Sequence, residues 1–179
     1  MPPSGMIYSD GGICVYCKLL LSFNTIEVKA MTVGKFCNRA VVVTRQDSTI
    51  MEVAQLMRQH HVGDIVIVDD KGDQLKPIGI ITDRDIVMEL IACDVSLDDV
   101  LVGDVMSYEL VTAHEQDSIW DAMNLLRTKG IRRLPVVNEE GGLEGILTID
   151  DLHELLGEEL MLLTKVPFRE QLHEKEKRP

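Results

Sequence analysis

The sequence predicts an α/β (α+β) fold: two β-α-β-β-α repeats packed face to face about a pseudo-two-fold axis. Three observations predict it. "GIITDRD" at 79–85 recurs as "GILTIDD" at 145–151, a shift of 66 residues. "DSTIMEVAQLM" at 47–57 recurs as "QDSIWDAMNLL" at 116–126, with Thr49 on Ser118 and a shift of 69. The shift shortens where the first copy has the longer turn, "DDKGDQLKP" against "NEEGGLE". An insertion confined to a turn is what a structural repeat tolerates.

The elements follow in order within each copy. A short apolar strand, "AVVVT" or "ELVTA", opens it. A helix follows, with Thr49 or Ser118 placed to cap its free N–H groups. Its apolar residues recur at helical spacing: Ile50, Val53, Ala54 and Met57 in one copy, Ile119, Ala122 and Leu126 in the other. A buried strand comes next, "DIVIV" or "LPVV", then a polar turn and a second strand, "PIGIIT" or "EGILT". "DRDIVMELIA" or "IDDLHELLGEEL" closes the copy as a helix. One copy is too small to cover both faces of its sheet, so the two are expected to share one core. The boundaries read as an extension over 1–30, repeats over 31–93 and 94–163, and a charged tail over 164–179 broken by Pro167.

Composition narrows the function. A hydrophobic fraction of 45% with only 4% aromatics predicts an aliphatic core. A net charge of −12 over 179 residues argues against nucleic acid and anionic membrane as partners. A small anionic ligand remains open, because a local basic cluster outweighs a distant field that salt screens within about 10 Å. No apolar run reaches the roughly 20 residues of a membrane span. Asp10 sits where a signal peptide carries positive charge. The expected location is cytoplasmic, with Cys14, Cys17, Cys37 and Cys93 as reduced thiols. The pair Cys14 and Cys17 lacks the partners of a zinc site. His60 and His61 are adjacent and point to different helix faces, so no metal site is predicted. No nucleophile, base and oxyanion set stands out, and no catalytic residue is assigned.

The repeated motif carries the chemistry. Thr82 and Thr148 stand where a strand meets a helix, beside N–H groups that favour an anion such as phosphate. Asp85 and Asp151 lie one turn on, where a carboxylate accepts two hydrogen bonds from a ribose diol. Gly79 and Gly145 remove a side chain where a flat base would clash. The same residues also suit a plainer job, Thr and Asp as helix caps and Gly as the mark of a strand bulge.

From about Met31 to Leu163 the chain resembles a tandem pair of cystathionine-β-synthase (CBS) domains, a Bateman module. The resemblance rests on "GDVMS" before "LVTAHEQDSIWDAMNLL", then "GIRRLPVV" and "GILTIDDL", with a degenerate copy of the set upstream. It implies a non-catalytic regulatory module that binds AMP, ADP, ATP or a related adenosyl ligand such as S-adenosylmethionine or NAD between the repeats. Mg²⁺ is compatible with a triphosphate. It also implies a homodimer and a regulated protein in trans. Carried over by position, Ile80 and Ile146 line the base, and Val42 and Val111 wall the clefts from the other repeat's opening strand. Thr112 is a polar position whose counterpart is Val43. Arg132 and Arg133 are the basic pair of the second copy, where the first has Gly63 and Asp64. Two unequal clefts are therefore expected. The one at Thr148 and Asp151 should be favoured by the two arginines, and the one at Thr82 and Asp85 helped only by Arg84. Apolar residues Met51, Met57, Ile119 and Met123 are expected on more than one helix face, pointing to the dimer. The competing reading is a structural dimerisation module with vestigial clefts.

Overall fold

The computed structural model describes residues 31–97 and 100–178. The expectations for Cys14, Cys17 and the rest of 1–30 lie outside the described residues. Each repeat is a three-stranded mixed sheet flanked by helices, as the sequence predicts. In the first, β1 (Val43–Thr44) pairs parallel with β2 (Asp64–Asp69), which pairs antiparallel with β3 (Lys76–Thr82). In the second, β4 (Ala113–His114), β5 (Arg133–Val137) and β6 (Leu143–Thr148) repeat that order. Both sheets carry an irregularity at the same place, between Ile67 and Val68 and between Val136 and Val137.

The helices follow from capping and periodicity. A four-residue helix, α1 (Val33–Phe36), precedes β1. The main helix of the first repeat, α2 (Ile50–His60), starts at Thr49, whose hydroxyl accepts from Glu52 N–H while the Glu52 carboxylate accepts from Thr49 N–H. It ends on His61 in the left-handed region at φ 56°. The second copy places Gly130 there, at φ 67° and without the steric cost.

The closing helix of the first repeat differs from the expectation. After one α-turn, α3 (Asp83–Asp85), the chain widens into a π-helical stretch over Ile86–Ile91. Its wide bonding shows in Ala92 N–H donating to Val87 O at 2.9 Å and Val95 N–H to Leu90 O at 2.9 Å. Another four-residue helix, α4 (Val102–Val105), leads into the second repeat, whose main helix is α5 (Ile119–Lys129). Its closing helix α6 (Ile149–Thr164) is longer than predicted, and α7 (Val166–Lys177) follows it with Pro167 in its first turn. The opening strands are shorter than predicted, two residues each.

That exchange corrects the picture of one shared core. α1 packs with the second repeat: Val33 and Cys37 join Ile119, Leu134, Leu147 and Leu152. Its backbone is anchored there by Val33 N–H donating to Asp117 O at 2.9 Å and Gly34 N–H to Glu115 O at 2.9 Å. α4 packs with the first: Val102 and Met106 join Ile50, Ile65, Ile81 and Leu90. Val102 N–H donates to Ser48 O and Gly103 N–H to Gln46 O, both at 2.9 Å. A third, smaller cluster of Val66, Val68 and Ile146 lies between the sheets, with Ile80 against it. Met57 and Ile119 are core residues, at 7% and 0% exposure, so they do not form the exposed face expected of them. They face the sheets because they share a helical stripe with Val53 and Ala122, which are also buried.

The exchange also explains the two motif glycines. A Cβ on Gly79 would come to 2.5 Å from Met106 Sδ, and one on Gly145 to 2.7 Å from Cys37 Sγ and 2.9 Å from Asn38 O. The glycines thus admit the crossing segment of the other repeat rather than the flat base predicted from sequence. Gly145→Ala is expected to lower stability by about 1–3 kcal/mol through overpacking against that backbone oxygen. Thermal denaturation against Gly157→Ala, where a Cβ meets nothing within 4 Å, checks this.

Candidate functional site

The strand-to-helix junctions are built alike. In the first, Thr82 N–H and Thr82 Oγ1–H both donate to Asp85 Oδ2, at 2.8 and 2.7 Å, and Asp85 N–H donates back to Thr82 Oγ1 at 3.2 Å. Thr148 and Asp151 repeat the pattern at 2.7, 2.7 and 3.2 Å. Threonine and aspartate therefore act as a reciprocal cap. Both bonds to each aspartate converge on Oδ2, and Oδ1 has no protein partner among the described residues.

One junction opens on a cavity of about 410 Å³, within the range of small-molecule sites. The first repeat contributes Ile80, Thr82, Asp83, Arg84 and Asp85. The second contributes Val111 with its neighbours Ser107, Glu109 and Leu110, then Ile131, Arg132, Arg133 and Pro135 from the head of β5. The apolar wall of Ile80, Leu110, Val111 and Pro135 suits a flat ring. The polar end holds three arginines and three carboxylates. A second cavity of about 360 Å³, beside the Arg45–Asp70 ion pair, contains none of the motif residues.

A two-fold repeat of this kind, with its motif pair at a shared cleft, is a basis for comparison with known proteins. The model of the CBS domain matches residues 33–92 and again 102–158. The chain belongs to the CBS-domain family. MK0525 of Methanopyrus kandleri is 38% identical over 125 residues, which cover 70% of this chain and 62% of that relative. The match thus spans less than two thirds of MK0525. The CBS pair of MJ0100, solved in complex with 5′-methylthioadenosine and S-adenosyl-L-methionine, superposes with a TM-score of 0.64 at 25% identity. That match covers 73% of this chain and 98% of MJ0100's. PAE2072 from Pyrobaculum aerophilum, complexed with AMP, gives 0.62 at 27% identity over 68% of this chain and 89% of that one.

Within this CBS pair the arginines sit differently from the expectation. Arg132 and Arg133 both line the cavity of Thr82 and Asp85, and only Arg132 also lies beside the Thr148 junction, near Asp150. The reason is reach. Arg133 belongs to the second repeat by sequence, but its long guanidinium side chain at the head of β5 crosses the pseudo-axis. Arg133 forms an ion pair with Asp64, its own counterpart in the first repeat. Gly63 lies at the same corner, where a Cβ would be 3.6 Å from Arg133 Nη2 and 3.3 Å from Asp83 Oδ2. Arg132 is more exposed and stands 3.9 Å from Asp150. Burial pushes the Asp64 carboxyl above the usual range, and the Arg133 charge opposes that shift.

The remaining predicted residues divide. Val42 packs on the first repeat's core and its carbonyl accepts from Val66 N–H at 3.1 Å. Ile146 is buried between the sheets at 7% exposure, whereas its counterpart Ile80 reaches the cavity. Thr112, Gly79 and Gly145 are not among the cavity residues. Sequence reasoning missed Glu109 and Pro135. "SYELVT" does carry a signal, a carboxylate two residues before Val111, where the first copy has Ala40. Among the described residues no group of three His, Cys, Asp or Glu is arranged to hold a metal ion. No helix among them is long and apolar enough to cross a membrane.

Proposed function

We propose that this CBS pair is a non-catalytic cytoplasmic sensor of an adenosyl ligand. The ligand binds in the cavity between Thr82–Asp85 and the head of β5, and its occupancy is signalled to a protein in trans. One observation carries the reading: a single cavity gathers Ile80, Thr82, Arg84 and Asp85 from one repeat with Val111, Arg132 and Arg133 from the other. Asp85 Oδ1 receives the ribose diol, the aliphatic wall takes the base, and the arginines face the phosphates. The ligands of MJ0100 and PAE2072 support the adenosyl class. AMP, ADP, ATP and NAD all fit that chemistry, with Mg²⁺ accompanying a triphosphate.

The reading of a purely structural module draws support from the caps, since Thr82 and Asp85 satisfy each other without any ligand. Isothermal titration with AMP, ADP, ATP, NAD, S-adenosylmethionine and adenosine separates the two. Saturable binding of at least one adenosyl compound is expected. Absence of heat with all six at millimolar concentration would leave the structural module.

A further inference from the structure

The two junctions carry the same caps under different covers. Ile80 is partly exposed and lines the cavity, whereas Ile146 is 7% exposed. The crossing segment that follows α1 covers Ile146. Asn38 N–H donates to Ile146 O at 2.8 Å, and Ile146 N–H donates back to Asn38 O at 2.9 Å. Val41 packs against the cluster of Val66, Val68 and Ile146. The other crossing segment makes a corresponding bond, Ser107 N–H to Ile80 O at 3.0 Å, yet leaves Ile80 accessible. Leu110, the counterpart of Val41, lines the open cavity. At the second junction Cys37 is buried, with its Sγ 2.7 Å from where a Cβ on Gly145 would stand.

Arg39 fastens the first of these segments. Its guanidinium donates to Gly34 O at 3.0 Å and to Glu115 Oε2 at 3.3 Å. It also donates to Glu144 O at 3.1 Å and to Glu144 Oε2 at 2.8 Å. One side chain thus joins α1, the residue after β4, and β6. The repeat supplies the comparison. Tyr108 stands in the place of Arg39, 69 residues on, and its hydroxyl donates to Gly103 O of its own segment. A single exposed ion pair contributes little. A planar fork that meets two carboxylates and two carbonyls at once fixes its segment in one geometry. We propose that Arg39 is a latch: it holds residues 37–41 over Ile146 and closes the second junction to a ligand, while Tyr108 leaves the first open. The closure is a property of the fold. That the closed junction would otherwise take an adenosyl compound rests on the reading above.

Alkylation of the native full chain by N-ethylmaleimide, read at each cysteine by peptide mass spectrometry, tests the latch without a ligand. In the wild type Cys37 should react far more slowly than the exposed Cys93. Arg39→Ala should speed Cys37 by about 10-fold or more, the effect of a lost charge-assisted contact on local opening, and leave Cys93 unchanged. Burial pushes the Cys37 thiol up, and the Arg39 charge opposes that shift. Loss of the charge alone would therefore slow the reaction, so faster labelling reports an opened segment. Glu144→Ala, at the other end of the fork, should act in the same direction. Tyr108→Ala should leave Cys37 within about 3-fold of wild type. Arg39 is 48% exposed, so circular dichroism should show the fold retained. Calorimetry with AMP and with S-adenosylmethionine should then give one equivalent on the wild type and two on Arg39→Ala for the compound that binds. No heat from either protein counts against the adenosyl reading, and the thiol rates still decide the latch. Unchanged Cys37 labelling in Arg39→Ala, equal acceleration by Tyr108→Ala, two equivalents on the wild type, or one equivalent on both proteins would each overturn it.

Discussion

Replacing Arg132 and Arg133 together by alanine is expected to remove most of the preference for a nucleotide over adenosine. Arg133 is the stronger contributor. Its side chain is 28% exposed, so solvent screens it less than Arg132 at 71%. In the free protein Asp64 holds it, and an incoming phosphate competes for the same guanidinium. Charge-assisted hydrogen bonds of this kind are worth about 2–3 kcal/mol, or about 30- to 150-fold in affinity. Adenosine affinity should change by less than about 3-fold, because it has no group at that end. Nucleotide affinity of the wild type should also fall with added salt. Calorimetry of both ligands on both proteins checks this. An equal loss for adenosine and nucleotide would mean that the arginines shape the cavity and do not read the phosphate.

Asp85→Ala is expected to weaken the tighter adenosyl site by a similar factor, about 30- to 150-fold, through loss of the paired hydrogen bonds to ribose. Asp85 also caps its helix, and losing a cap costs about 1 kcal/mol of stability. The repeat supplies the control. Asp151 makes the same three bonds within 0.1 Å of the same lengths. Asp151→Ala should therefore lose comparable stability, yet leave the tighter site within about 3-fold of wild type. Calorimetry and thermal denaturation on the two variants separate ligand binding from capping. Equal affinity losses would place the tighter site at neither junction in particular.

The two variants bear on different kinds of information. Asp85 and Asp151 could be picked out because their roles depend on neighbours three residues away. Thr at a strand end, Asp one turn on, and the helix between them are set by local geometry. The same holds for Thr49 as a cap and for the stripe of Ile50, Val53 and Met57 that places α2 on its sheet. Where the sequence misled, the residues depended on partners far along the chain. Gly79 meets Met106, and Gly145 meets Cys37, only because the opening segments cross to the opposite repeat. The π-helical stretch over Ile86–Ile91 has the same apolar spacing as an α-helix, so the pattern did not distinguish them.

By itself, then, the sequence determined that there are two copies, the order of their elements, the aliphatic core and the capped junctions. Each is a matter of periodicity or short-range hydrogen bonding, which the order of residues encodes directly. The tertiary structure alone decided which repeat each opening segment packs against and that Arg133 reaches across to the first repeat. Asp64 and Arg133 hold corresponding places in the two copies, 69 residues apart, and the pseudo-axis brings them into one ion pair. A guanidinium reaches across that axis because its charge is best met by the carboxylate opposite, and residue order does not record that proximity.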